Sequence, residues 1–433
     1  MPLPQTKLEV FDDAANDSTA GHPTATVATR EAGLARMEAF QSGMGSAYAR
    51  SRNFDFGPNN RTNVSVLSPY TRHRLVLEEE LVASALKQHS ASSSEKFVQE
   101  VIWRSYWKGW LEQRPDVWTE WLIDLQADQS ALEKHRDLRI RHEEAINGQT
   151  GLECFDFWAQ ELVATGYLHN HARMWFASIW VHTLDLPWSL GAAFFLKHLL
   201  DGDPATNTLS WRWVCGLHTK GKSYLARADN IEKFTGKRFS PQPHSLAPQP
   251  KWFDLDALET APLEREPLPF FMAPQSGIPS ALVITVEDCF AEQGLLSSSV
   301  LKSLTGVCTV AVPANPTDVG ASEAVDGFKA ACLDDAAQRF EQTHGKTVSR
   351  LTEVSHIADW FGGTGAEQLV HAHIPVGKTK SALAPALAAL QRDGAMITSV
   401  AREWDKAIWP HATAGFFKVK KKIPSILAQL SLN

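Results

Sequence analysis

Three segments hold residues whose types and spacing could do chemistry. The first is Asn63-Val-Ser65-Val-Leu67-Ser68-Pro69-Tyr70, followed by Thr-Arg-His-Arg. Ser68 before Pro69 reads as a helix N-cap with proline at the first helical position, and the unpaired amides of such a start take anions, phosphate above all. Taken alone, the motif is equally a capped helix. The second is Phe97-Val-Gln-Glu100-Val-Ile-Trp103-Arg104-Ser-Tyr-Trp107, where Glu100, Trp103 and Trp107 share a helical face and Glu100 with Arg104 forms an i, i+4 pair of about 0.2–0.5 kcal/mol. A carboxylate beside an indole face suits a flat, hydrogen-bonding ligand such as a base; a buried helix with one salt bridge would look the same. The third runs from Thr165-Gly-Tyr-Leu-His169-Asn170-His171-Ala-Arg173-Met174, through Leu-Pro-Trp188, to Asp201-Gly-Asp203-Pro-Ala-Thr-Asn207-Thr-Leu-Ser-Trp211-Arg-Trp213. Asn170, Arg173 and Met174 share a face. Asp203-Pro204 reads as a further N-cap, which sets Asp203, Asn207 and Trp211 on successive turns of one stripe. An acid, an amide and an indole in line suit a heterocycle with donors, acceptors and a redox centre.

Other signals are weaker. His169 and His171 fall on different helical faces with no suitably spaced third ligand, so no metal is expected. Val376-Gly-Lys-Thr379 has Ala372 where a phosphate-binding loop needs glycine, and Gly362-Gly-Thr-Gly365 reads as a helix-ending loop rather than a dinucleotide fingerprint. Lys418-Val-Lys-Lys-Lys422 reads as a solvated end. Tryptophan is abundant: 15 in all, eleven of them between Trp103 and Trp213. Each indole N–H needs a partner, so filling a core this way is costly, and the density points to stacking or electron transfer.

The 433 residues carry 42 Lys+Arg against 49 Asp+Glu, a net charge of −7 that excludes a generally polybasic nucleic-acid coat. Residues 27–240 hold 25 basic and 25 acidic side chains, so binding to DNA there needs local patches such as Arg50, Arg52, Arg61, Arg72, Arg74, Lys220, Lys222 and Arg227. Five widely spaced cysteines without a C-x-x-C fit a reduced, cytoplasmic setting. The first residues lack a basic start followed by an apolar core, so no secretory signal is expected, and no membrane span is foreseen.

Along the chain, residues 1–26 read as a disordered tail. Apolar spacings of three and four predict helices at 32–40, 75–88, 95–113, 155–165 and on either side of Leu186-Pro187-Trp188, making 27–240 a helical domain. Prolines from Pro241 to Pro274 mark a linker at 241–275. Beyond it, the apolar runs 281–286, 307–312 and 347–351 alternate with helical stretches at 321–343 and 381–393, so 276–433 is expected to be an α/β domain with a parallel sheet.

Together the three chemical segments, with Tyr48-x-x-x-Arg52-Asn-Phe, resemble the FAD-binding helical domain of the cryptochrome/photolyase family over roughly residues 27–240. The resemblance implies a mainly α protein. Tyr48, Ser65, Leu67 and Ser68 would hold folded-back FAD near its diphosphate. Asn170, Arg173, Asp201, Asp203 and Asn207 would surround the isoalloxazine, with Asn207 at the N5 edge, and Arg104 would also bind the cofactor. Glu100, Trp103, Met174 and Trp213 would line the cavity for a flipped pyrimidine dimer, the partner being damaged DNA. Trp211 and Trp188 would form the inner electron-transfer chain. Asn170 and Met174, where the (6-4) branch usually has histidines, place the chain nearer the enzymes of cyclobutane dimers. The implied activity is that of a deoxyribodipyrimidine photo-lyase, with a cryptochrome-like blue-light photoreceptor without repair as the alternative.

Four departures accompany the resemblance. The outer tryptophan position falls near His135, so Trp118, Trp121 or Trp158 would have to substitute. Ser105 stands where an acid often follows Trp-Arg, and His171 where an arginine is expected beside the dimer. The α/β domain follows the helical one instead of preceding it, as a rearranged antenna-type domain or an unrelated one, and no antenna chromophore can be named.

Overall fold

A computed structural model describes residues 26–218, 222–251, 264–312 and 320–432. The expected tail up to residue 25, part of the proline-rich connection and Lys220 lie outside the described residues.

The first half is helical: α1 (Arg30–Phe40), α2 (Ser46–Ser51), α3 (Ser68–Arg72), α4 (Glu78–Gln88), α5 (Ala91–Glu112), α6 (Asp116–Lys134), α7 (Arg136–Ile146), α8 (Glu153–Thr165), α9 (Asn170–Ser178), α10 (Trp188–His198), α11 (Pro204–Cys215) and α12 (Ala228–Phe234). Local chemistry explains their limits. The Ser90 hydroxyl caps α5 and Asp203 caps α11, accepting from the Thr206 amide at 2.7 Å with Pro204 in the first turn. Gly166 ends α8 at φ 65°, and its missing side chain makes room for Leu200, which an added Cβ would approach to 2.6 Å.

The second half builds a five-stranded, wholly parallel sheet: β1 (Ser280–Ile284), β2 (Leu304–Val310), β3 (Ser349–Leu351), β4 (Gln368–Ala372) and β5 (Met396–Val400), in the order β3-β2-β1-β4-β5. β1 and β4 are buried throughout, as a parallel sheet covered on both faces requires. Leu282 and Ile284 pack on one face with Phe328 and Cys332 of the helix Glu323–His344. Ala281 and Val283 pack on the other with Phe361, Leu383 and Leu390.

After β5 the chain returns to the helices. Trp404, Ile408, Trp409, Phe416 and Val419 are buried in the same core as Ile102, Trp107 and Leu111 of α5. Gly109 is where the two meet, because a Cβ there would lie 2.7 Å from the Trp409 indole. The Trp404 indole donates to the Ser105 hydroxyl at 2.6 Å, which accounts for a small hydroxyl residue in a position fully buried inside α5.

The two halves are joined by buried charge. Arg72, at the end of α3, makes a bidentate pair with Glu287 (2.6 and 3.0 Å), which also accepts from the Thr379 hydroxyl at 2.8 Å. Arg74 pairs with Asp405 at 2.7 Å and Asp288 at 3.3 Å, and Arg402 closes on Asp288 at 2.6 and 2.7 Å. Between them the neutral His73 ring lies with Nδ1 2.8 Å from the Val286 carbonyl, which can accept its one N–H, and Nε2 3.3 Å from the Leu200 carbonyl. Glu112, at the end of α5, receives the Val376 amide and His373 Nε2 at the start of the helix Lys378–Arg392. Among the described residues no helix is long and apolar enough to cross a membrane.

Candidate functional site

Four helices aim polar side chains at one place beside the start of α11. Arg173 of α9 donates from Nη2 to Asp201 Oδ2 at 2.9 Å, and Lys108 of α5 and Arg72 approach Asp203 at 3.8 and 3.6 Å. Burial pushes the Asp201 carboxyl up, but Arg173, Arg104 and the Ser68 hydroxyl outweigh it and hold the group below its ordinary value. Asp203 is likewise held low, burial being overcome by Lys108, Arg72 and Arg104. Both are therefore carboxylates. Arg104 thus stands near both acids, and Ser68, Arg104, Arg173, Asp201 and Asp203 converge from remote parts of the chain.

Next to them the backbone turns sharply: Val66 lies at φ 50°, unusual for a β-branched residue, between Ser65 and Leu67. The Leu67 amide donates to Ser65 Oγ at 3.4 Å, and Arg36 Nε donates to the Ser65 carbonyl at 2.7 Å. Tyr48 is half-buried, edge-on to Phe97 with ring centroids 5.3 Å apart. Asn170 is exposed at the first turn of α9, while Arg173 and Met174 are half-buried. Asn207 is buried on α11, its Nδ2 donating to the Ala192 carbonyl at 2.9 Å.

Several buried atoms around this cluster lack partners among the described residues: Asp201 Oδ1, Thr206 Oγ1, Arg104 Nη1 and Arg36 Nη2. Buried polar groups usually have partners, and such atoms occur elsewhere in the molecule too, but here an acceptor, a hydroxyl and two guanidinium donors are left open in one place. A carboxylate acceptor, a hydroxyl and guanidinium donors match the mixed donor and acceptor edge of an isoalloxazine and the phosphates that follow it. The residues fit FAD.

Glu100 lies one turn before Arg104, and Trp103 immediately precedes it. Glu100 accepts from Arg52 Nη1 at 2.7 Å, and burial raises its carboxyl against the pull of Arg52 and Lys96. Trp103 is half-buried and one indole face is stacked on Phe416, centroids 3.8 Å apart and planes 12° apart. Trp213 is also half-buried and stacks on Tyr224 at 5.8 Å. Each of the two indoles expected at the dimer cavity thus has an aromatic neighbour on one face.

Trp211 is buried, with its N–H unpartnered among the described residues. Its ring meets Trp180 edge-on at 6.3 Å. Trp188 begins α10, and Trp121 of α6 donates to the carbonyl of the next residue, Ser189, at 3.4 Å, with Trp118 a further 4.9 Å from Trp121. Trp158 lies elsewhere, stacked on Trp175 and hydrogen-bonded to Asp55.

Three expectations need correcting. Ser68 is not the N-cap of α3: Leu67 occupies that position, no side chain caps the helix, and Ser68 faces Asp201. Glu100 does not pair with Arg104, because Arg52 reaches it and Arg104 turns to the two aspartates. Arg61, Arg72 and Arg74 form no DNA patch, being buried in ion pairs with Glu161, Glu287 and Asp405. The N-cap at Asp203-Pro204 and the stripe that carries Asn207 and Trp211 are observed as expected. Arg36, Lys108, Phe416, Tyr224 and Trp180 were missed. They come from segments whose own patterns read as helix or surface, and only their approach in space gives them a place here.

Residues 97–244 match the family model described as the FAD binding domain of DNA photolyase. The chain is 32% identical over 180 residues to the deoxyribodipyrimidine photo-lyase of Streptomyces griseus, covering 39% of this chain and 38% of that protein. To a deoxyribodipyrimidine photo-lyase of Thermus thermophilus it is 31% identical over 240 residues, covering 52% of this chain and 54% of that one. It also aligns with the crystal structure of a bacterial class III photolyase from Agrobacterium tumefaciens, with a TM-score of 0.41 and 24% identity over 48% of this chain and 43% of the other. The chain therefore spans about half the length, or less, of these curated relatives. The match lies on the stretch that carries Arg104, Arg173, Asp201 and Asp203, so this part of the chain is similar to the FAD-binding domain of photolyases, whose cofactor its residues fit.

Proposed function

We propose that this protein is a light-dependent DNA repair flavoprotein, a deoxyribodipyrimidine photo-lyase that splits cyclobutane pyrimidine dimers. The observation that supports it best is the meeting of Asp201, Asp203, Arg173 and Arg104 at the start of α11, with Trp103 next to Arg104 and Glu100 one turn before it on the same helix. Reduced FAD, when bound and excited by light, supplies the electron that opens the cyclobutane ring. Tyr48, Ser65, Leu67 and Ser68 would hold its diphosphate side, and Asn170, Arg173, Asp201 and Asp203 its ring system. Asn207, anchored through Nδ2, has its side-chain carbonyl left to accept a hydrogen bond from the cofactor. Trp103, Trp213 and Met174 would wall the cavity for the extruded dimer, with Glu100 hydrogen-bonding its bases, since a lesion inside the stack cannot reach the cofactor. Trp211 and Trp188 are the indoles through which electrons would reach the cradle.

We read the 276–433 unit as a rearranged antenna-type domain that serves here as a clamp. In a sheet of this strand order, ligands enter between the carboxyl ends of the two central strands. That crevice, after β1 and β4, is filled by Arg72, His73 and Glu287 and by His373 with Glu112. A blue-light photoreceptor without repair is the second reading, favoured by Phe416 covering one face of Trp103.

The test is repair itself. The purified protein is reduced chemically and given an oligonucleotide with one thymine dimer, and recovery of base absorbance is followed under blue light. Recovery that needs light establishes the enzyme; none from flavin-loaded, reduced protein overturns it in favour of the photoreceptor. Trp103→Ala is expected to abolish dimer binding while leaving FAD in place.

A further inference from the structure

The basic run near the end of the chain lies beside the lesion cavity. Phe416 stacks on Trp103 at 3.8 Å, and four residues later Lys420 approaches Glu95 at 3.5 Å. The stretch therefore runs along α5 past Glu100, covering eight residues, or about 12 Å, of the helix. From this stretch Phe417 points outward, 76% exposed, and Lys418, Lys421 and Lys422 are exposed with no ion-pair partner among the described residues. Lys420 is matched by Glu95, so three uncompensated positive charges and one bare aromatic ring remain at the rim. The helical half is neutral and has turned Arg61, Arg72 and Arg74 inward to buried acids. Of the cations the sequence singled out there, Arg50, Lys222 and Arg227 stay exposed, and Arg227 is paired with Asp229.

We propose that Phe417, Lys418, Lys421 and Lys422 form the contact for the DNA strand that flanks the dimer. The lysines neutralise phosphates and Phe417 packs against a base or sugar next to the gap that the extruded dimer leaves. A nucleic-acid strand is the occupant the surface fits, because it joins one exposed ring to three lysines unpaired among the described residues and is continuous, through Phe416, with Trp103. The assignment rests on the repair reading of the cavity.

The experiment uses the full-length, FAD-loaded protein and two duplexes, one with a single thymine dimer and one undamaged, with affinity measured as a function of salt. Lys418→Gln, Lys421→Gln and Lys422→Gln together are expected to weaken binding to both duplexes at least about tenfold at low salt. The slope of log affinity against log salt should become shallower by about 2 to 3, close to one per lost phosphate contact. Flavin content and thermal midpoint should be unchanged, as all three side chains are exposed. Phe417→Ala should weaken binding about fivefold or more without altering the slope. A triple variant with wild-type affinity and slope overturns the assignment and leaves the run a solvated end. If the wild type repairs and the variant is unaffected, only this inference fails; if the wild type binds neither duplex, both readings fall together.

Discussion

Two buried, charged regions lie a few residues apart and are built differently. Where α3 meets the sheet, Arg72, Arg74 and Arg402 face Glu287, Asp288 and Asp405 through short contacts, most of them bidentate. At the candidate cofactor cradle, Asp201 and Arg104 each keep a buried atom without a partner among the described residues. Burial alone does not tell a structural ion pair from a ligand site, since the residue types are the same. The difference lies in the carboxylates: among the described residues both oxygens of Glu287, Asp288 and Asp405 are paired, although Arg74 Nε is left over, whereas Asp201 keeps an unpaired oxygen. A closed network holds two parts of a chain in one arrangement, and an open one awaits a guest.

Breaking the closed network should have the largest effect. Arg74→Met leaves Asp405 and Asp288 buried without this partner and is expected to cost about 3–5 kcal/mol, read as a lower midpoint in urea or on heating. Glu112→Gln should cost less, about 1–3 kcal/mol, because the amide still accepts from Val376 but no longer suits His373 and Lys380.

Acid should dissolve the closed network in two stages. His73 is lowered to about 3, mainly by burial and then by Arg72, so its folded value lies below its unfolded one near 6.5. The neutral ring contributes stability that is present above pH 6.5 and lost as pH falls from there toward 3. Glu287 and Asp288 are also depressed, burial being outweighed by Arg72 in one case and Arg402 in the other. Their contribution is present above their ordinary values of 4.5 and 3.8 and drains away below them. A thermal midpoint that begins to fall below about pH 6.5 and drops more steeply below about 4.5 bears this out; a flat profile from pH 7 to 4 contradicts it.

The open cradle should answer to the cofactor instead. Asp201→Asn is expected to destabilise the apoprotein by about 1–3 kcal/mol, through the weakened Arg173 pair, yet to lose flavin on gel filtration. Added FAD should raise the wild-type midpoint and leave that of the variant nearly unmoved. The smallest stability effect is expected from Trp211→Phe, about 1–2 kcal/mol, since its N–H has no partner among the described residues to lose. It should keep FAD and slow light-driven flavin reduction, measured by the decay of oxidised-flavin absorbance under illumination.

Legibility in the sequence followed locality. The cap at Asp203-Pro204, the stripe of Asn207 and Trp211 and the strands β1 and β2 could be read because each depends on neighbours within a few residues. β4 and β5 were overlooked. Gln368 at the head of β4 looks polar but is fully buried, donating to Ser280 and accepting from Thr398 and the Gln275 amide. β5 is half-buried along most of its length, so its alternation is faint.

The amino-acid order by itself determined which stretches become helix or strand and which short motifs could meet a flavin, because hydrophobic spacing, capping and proline act over one or two turns. Only the tertiary structure decided the fate of the charges. Arg72 and Arg74 look like surface cations in the sequence, and they became the joint to the sheet because Glu287, Asp288 and Asp405 arrive from more than two hundred residues away. Lys418, Lys421 and Lys422 stay exposed, as expected of a solvated end, but only the fold sets them beside Trp103 through Phe416. An ionic or stacking contact is set by distance in space, and separation along the chain carries no record of it.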